Sequence, residues 1–177
     1  MNSIARESAH LVLFCGLLTA MPVMAEESVR AWLVGIKEVP SISTVASGQF
    51  RGVIDDRART LTYELSYSRL EGDVQQAHIH VGQRSVNGAV SVFLCQTEAS
   101  PDPTGLAPRC PRSGKVSGMV QSSNMIEGNI VSQGVAPGEF DELIRAIRSG
   151  VAYVNVHSST FPAGEVRGQL RVIEPEN

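Results

Sequence analysis

The eight residues Thr60-Leu-Thr-Tyr-Glu-Leu-Ser-Tyr67 constrain this chain more than any other stretch. Leu61, Tyr63, Leu65 and Tyr67 fall at every second position, with Thr62, Glu64 and Ser66 between them. A period of two places one set on each face of a pleated strand, so the segment reads as a half-buried β-strand. The same reading gives strands at Val29–Ile36 and Ser47–Ile54, the latter joined to Thr60–Tyr67 by the turn Asp55-Asp56-Arg57-Ala58. Further strands are expected at Val74–Val81, Ala89–Leu94, Lys115–Val120, Asn124–Ser132, Val151–His157 and Glu165–Ile173.

One segment breaks the alternation. In Pro137–Gly150, Phe140, Leu143, Ile144 and Ile147 recur at i, i+3, i+4 and i+7, which makes one apolar stripe of a short helix near residues 138–149. Acidic Glu139, Asp141 and Glu142 stand at its start, Arg145 and Arg148 later, and Gly150 at its end, as the helix dipole and a C-terminal stop require. Many short strands with turns between them predict a mostly β, antiparallel two-sheet sandwich carrying this helix.

Residues 1–25 read as a secretory signal. Arg6 precedes the apolar run Leu11–Ala20, and Val23-Met24-Ala25 forms a small-residue cleavage site. The apolar core of about 10 residues is short of the roughly 20 that a membrane span needs. Bulky Phe14 before Cys15 argues against a lipidated cysteine. The expectation is an exported protein, periplasmic or extracellular, with one domain over 26–177, no membrane span in the mature chain, and a polar tail at Glu174–Asn177. A net charge of −3 gives no basic surface for nucleic acid or for anionic membranes.

Export also frames the two remaining cysteines. Cys95 and Cys110 are expected to form a disulfide, which closes a loop worth roughly 3 kcal/mol for a ring of this size. The loop is rich in Pro, Ser and Thr and is expected to have little order of its own.

The histidines after the leader are confined to two segments. In Ala77-His-Ile-His-Val81, His78 and His80 point to one face and Ala77, Ile79 and Val81 to the other. In the strand ending at His157, Val154 and Val156 face the core, so Asn155 and His157 share the opposite face. If these strands are neighbours, three imidazoles converge. Such a set suits copper or zinc, with Glu165 as a possible carboxylate and Asn155 as a hydrogen-bond support. The alternative is a polar cluster that ties the sheet together without binding anything. No nucleophile elbow, phosphate loop, zinc-protease or calcium-loop pattern is present, so the residues suggest no enzyme. An oxidoreductase on a copper site is the enzymatic alternative.

Several of these segments also occur together elsewhere. Lys37-Glu-Val-Pro40, Ala77-His-Ile-His80 followed by Val86-Asn-Gly-Ala-Val90, Ala152-Tyr-Val-Asn-Val-His157 and Phe161-Pro-Ala-Gly-Glu-Val-Arg-Gly-Gln-Leu170 resemble, in this order, the motifs of the CHRD (chordin) domain family. The first carries Lys where the family usually has Gln. The resemblance spans about residues 31–172. It implies an extracellular or periplasmic β domain that binds or scaffolds, with an unknown protein or cell-envelope component as partner, and it supplies no reaction. It also marks His78, His80, Asn155, His157, Glu165 and Arg167 as motif residues, without deciding whether they hold the fold or a ligand. The cysteine-closed loop lies outside the family pattern.

Overall fold

The computed structural model describes residues 26–126 and 132–173. The expected signal at 1–25 and the tail at Glu174–Asn177 lie outside the described residues.

Among the described residues nine strands form: β1 (Glu27–Val34), β2 (Ser47–Asp55), β3 (Thr60–Ser68), β4 (Val74–Val81), β5 (Ala89–Cys95), β6 (Gly114–Val120), β7 (Ala152–Ser158), β8 (Val166–Gln169) and β9 (Arg171–Ile173). Helix α1 covers Phe140–Arg148. The expected hairpin is present. β2 and β3 pair antiparallel from Ser47↔Ser68 to Asp55↔Thr60, and Asp55 Oδ1 accepts the Ala58 N–H at 2.8 Å in the turn.

The two-sheet sandwich is not what forms. The strands run in one antiparallel order, β5-β4-β7-β8-β1-β2-β3-β6, with β9 also on β1. β8 is the joint. It pairs with β7 through Tyr153↔Gln169 to Val156↔Val166, and with β1 through Val34↔Arg167. That seam fuses two would-be sheets into one that curls until its edges come close. A bridge between Val92 of β5 and Met125, just past β6, nearly closes it, and Tyr63 of β3 donates its hydroxyl to Leu94 O across the same gap at 2.6 Å. Alternation specifies which face of a strand is buried but not its neighbour, so barrel and sandwich look alike in the sequence.

Two strand expectations also change. Asn124–Ser132 is not a strand where it is described: Ser122–Asn124 is a 3-10 turn, Met125 makes the single bridge, and 127–131 lie outside the described residues. Glu165–Ile173 divides at Leu170, whose N–H turns to Ala152 O. At the other end of the chain, β1 stops at Val34 because Gly35–Lys37 form a 3-10 turn.

The inside of the curled sheet is one apolar core that includes Leu33, Phe50, Leu65, Ile79, Leu94, Val154 and Val166. All four residues of the predicted helical stripe join it. Arg148 binds Glu27 at 2.7 Å and Asp56 at 2.8 Å, and Arg59 binds Asp141 at 2.9 Å. These contacts hold α1 over the end of the barrel where β1 begins and β2 turns into β3. Gly150 ends the helix in a left-handed conformation (φ 68°) that an L side chain adopts only with strain.

The disulfide Cys95–Cys110 forms as expected. Its loop is more ordered than its composition suggests. Buried Asp102 accepts from the N–H groups of Thr104, Leu106 and Ala107 at 2.9–3.1 Å and from Thr104 Oγ1 at 2.6 Å. One carboxylate therefore substitutes for a core.

Candidate metal centre

β4 and β7 are hydrogen-bonded neighbours, with His78 opposite Asn155 and His80 opposite Tyr153. Ala77, Ile79, Val154 and Val156 enter the core, which turns His78, His80, Tyr153, Asn155 and His157 onto the outer face. That face is not open to solvent. Every residue of β7 is buried, and His78, His80 and His157 are 2%, 7% and 6% exposed. β7 is thus buried on both faces.

The β4–β5 ladder is irregular at this place. Ala77 pairs with Cys95 but His78 with Phe93, and Ile79 pairs with Val92 but His80 with Val90. Leu94 and Ser91 are the extra residues of two bulges, each next to a histidine. Bulges bend a strand and re-aim side chains, and they gather where a site is built.

The three rings form one cluster. His78 and His157 have centroids 4.9 Å apart, His78 and His80 5.4 Å, and His80 and His157 6.4 Å. One nitrogen from each lies within 4.8 Å of the others. Phe93 covers His78 edge-on at 4.2 Å, and Tyr153 stacks on His80 at 4.7 Å, nearly parallel.

Hydrogen bonds sort the nitrogens. His80 Nδ1 meets Gly88 O at 3.0 Å, which fixes its proton there and leaves Nε2 as a buried lone pair without a partner. His157 Nδ1 meets Pro162 O at 2.9 Å and its Nε2 meets Asn155 Oδ1 at 3.1 Å. A neutral ring has one N–H and cannot donate to both oxygens. Donation to Pro162 leaves the Nε2 lone pair facing Asn155, whose amide must then present its Nδ2 to that nitrogen or yield it to another ligand. His78 has no partner at either nitrogen.

Burial holds these rings neutral. Desolvation, and then the neighbouring His157 and His80, push His78 down to about 2. Desolvation pushes His80 down to about 4 against the help of Gly88 O, and it lowers His157 as well. Neutral imidazole is the form that binds metals. The cluster thus offers three deprotonated nitrogens, with Nδ1 of two rings anchored to backbone carbonyls, the second layer that metal-binding histidines characteristically have. A metal bound at roughly 2.0–2.1 Å needs the nitrogens to draw together by about 1 Å.

The other expected residues divide. Asn155 lies among the rings. Glu165 does not: its Oε1 accepts from Thr44 Oγ1 and Glu71 N–H, both at 2.9 Å, and ties two loops together. It pairs with neither Arg167 nor His157 among the described residues. Arg167 reaches the cluster indirectly. Its guanidinium lies 3.4 Å from the centre of the Tyr153 ring, and it donates to Gln83 O, Val86 O and Asn87 Oδ1 at 2.8–3.3 Å. It therefore holds the loop 82–88 over the histidines. Gly88 is the contact point of that loop, where an added Cβ would lie 1.6 Å from Val81 O.

Sequence reasoning missed Glu38, Phe93 and the role of Tyr153. Tyr153 was legible, since it continues the alternation Tyr153, Asn155, His157. Glu38 stood in the sequence only as part of the motif Lys37-Glu-Val-Pro40, with no role attached: it comes from the turn after β1, is 5% exposed with Oε1 unpartnered, and desolvation raises its carboxyl to about 7.

The CHRD domain family model matches residues 29–170. No curated protein and no solved structure matches the chain.

Proposed function

This chain belongs to the CHRD domain family, and from that premise we propose that it is an exported binding module whose ligand is a single copper or zinc ion held by His78, His80 and His157. The observation that carries the reading is the set of buried ring nitrogens without hydrogen-bond partners, both on His78 and Nε2 on His80. A cluster kept only for structure would pair them, because a buried polar atom left unpaired costs about 1–3 kcal/mol. A metal accepts all three lone pairs and leaves each Nδ1–H bond in place. Three imidazoles without a thiolate suit copper and zinc, and copper binds such sets more tightly. The Gly88 and Pro162 carbonyls orient two of the ligands through their Nδ1–H groups. The role is binding rather than turnover, with copper redox chemistry as the enzymatic alternative. The disulfide and the leader-like first 25 residues support a periplasmic or extracellular setting.

The test is calorimetric titration of the protein, purified after export and free of a histidine tag, with Cu(I), Cu(II) and Zn(II). One-to-one, sub-micromolar binding that disappears in His78→Ala/His80→Ala supports the reading. Absence of binding in the folded protein refutes it.

A second reading, docking of a protein or envelope component, is favoured by one observation. Trp32, Ile36 and Val45 are 58%, 73% and 66% exposed and line one open groove of about 610 Å³. Apolar side chains gathered at the surface mark interaction sites. Trp32→Ala/Ile36→Ser must then weaken binding of the purified domain to isolated envelope material.

A further inference from the structure

Beside the histidine cluster, on the far side of Tyr153, lies a cavity of about 210 Å³ lined by Lys37, Glu38, Arg84, Ser85, Arg167 and Gln169, together with flanking residues of the β1 turn. Its charge is out of keeping with the chain as a whole. The protein carries −3 overall, yet three of these six side chains are cationic, and Arg171 stands close enough to Lys37 to lower its pKa. Arg59, Arg109, Arg112, Lys115, Arg145 and Arg148 all reach carboxylates at 2.7–3.5 Å. Lys37, Arg84 and Arg167 have no ion-pair partner among the described residues; Arg30, Arg51, Arg57, Arg69 and Arg171 have none either, but the first three share one cavity, and the Lys37 ammonium donates only to the neutral Trp32 O at 2.6 Å.

Arg167 is the central group. Its side chain is 2% exposed, so its charge is withdrawn from water. Three of its five N–H donors go to Gln83 O, Val86 O and Asn87 Oδ1, neutral acceptors that solvate the charge without cancelling it. The one acid nearby is Glu38. Burial raises its pKa to about 7, so near neutrality it is only partly ionised, and its Oε1 is unpartnered. A buried cation without a counter-ion is costly unless a charge of opposite sign is supplied. The rim is also strained: Ser85 holds a left-handed φ of 59°, a conformation that collects at ligand clamps.

We propose that this cavity is a binding site for a small oxyanion, a carboxylate or a phosphate, held by Arg167 from below and by Lys37 and Arg84 at the rim. The guanidinium supplies the planar fork that such anions fit, and the protonated Glu38 can donate a further hydrogen bond. The volume admits an anion of a few heavy atoms and excludes a polymer. The site stands apart from the metal reading, because it needs no metal in the histidine cluster.

The test uses the intact, metal-free protein at low ionic strength, titrated with oxalate in one arm and inorganic phosphate in the other, with sodium chloride as the ionic-strength control. Binding is followed by calorimetry and by the ¹⁵N–¹H resonances of Arg167 Nε and of the Arg84 and Ser85 amides. The expected result is saturable displacement of those resonances by at least one oxyanion and not by chloride. In Lys37→Glu/Arg84→Glu, whose side chains are exposed and leave the core untouched, the affinity falls at least about tenfold. A tighter oxalate arm assigns the carboxylate class, and a tighter phosphate arm the phosphate class. No saturable displacement by either anion, or affinity unchanged in the double variant, overturns the proposal.

Discussion

Replacing His78 by Phe separates a metal centre from a structural cluster, because the two predict opposite signs. Both ring nitrogens of His78 are buried without a partner. A neutral imidazole brings one donor and one acceptor, and each left unpaired costs about 1–3 kcal/mol. Phe removes both and keeps an aromatic ring against Phe93, now 4.2 Å away. Its extra bulk costs about 1–3 kcal/mol in a packed site. The balance is a gain of about 2 kcal/mol for the metal-free protein, or roughly 4–8 °C in Tm for a domain of this size. The assay is urea unfolding at pH 7.5 with a chelator and the disulfide intact. It is repeated with free zinc at about 1,000 times Kd, where the wild type gains about 4 kcal/mol and the variant gains nothing. A variant less stable than wild type in chelator, or one still stabilised by zinc, refutes the reasoning.

Other consequences are equally specific. In the metal-free protein, His78 and His80 must charge on unfolding. Their pKa values are lowered when folded, so their contribution is present above the ordinary imidazole pKa of 6.5 and is lost as pH falls towards 4, by about 1.4 kcal/mol per pH unit for each ring. Glu38, raised to about 7, acts oppositely: its contribution is complete below about 4.5 and is lost as pH rises to 7, so the urea midpoint must climb from about pH 4.5 to 6.5 less steeply than the histidines alone would give and level off above about pH 7, and a flat profile would falsify the assignment. Gly88→Ala displaces the loop that holds His80 Nδ1, and zinc or copper affinity, read by competition with a chromophoric chelator, falls about 10–100-fold. Asp102→Ala removes four hydrogen bonds to a carboxylate and costs at least about 2 kcal/mol in urea unfolding, with faster amide exchange at Thr104, Leu106 and Ala107.

What could be read in the sequence follows from what each signal encodes. Period two and period 3.6 depend only on neighbours along the chain, so β3 and the stripe of α1 are visible in Thr60–Tyr67 and Phe140–Ile147. The H-x-H pair of β4 and the N-x-H of β7 share faces for the same reason. Their approach depends on strand pairing, which was a condition in the sequence and is met by the register His78↔Asn155. The seam at β8, which makes one curled sheet in place of a sandwich, rests on the pairing Val34↔Arg167 and, past Leu170, on β9 against β1, and leaves no periodic trace. Nor does the position of Glu165: its place past the turn after His157 suggested the histidines, while the actual partners, Thr44 and Glu71, lie 121 and 94 residues away. The order of the cysteine loop depends on Asp102, and one buried acid in a Pro-rich stretch looks like any other.

The pairing of β1 with β9 has a kinetic consequence. Ser28, Val29 and Arg30 take Ile173, Val172 and Arg171 as ladder partners, so the first strand is complete only when nearly the last described residues arrive. Contacts of such sequence separation close late and slowly, because the loop entropy must be overcome before they form. β2, β3 and β6 can assemble on β1 from the amino-terminal side, and β4, β5 and β7 with one another, but β8 must dock before the two groups share a sheet. A ribosome-bound chain therefore presents the open flanks of β1 and β7 to solvent until β8 and β9 dock between them.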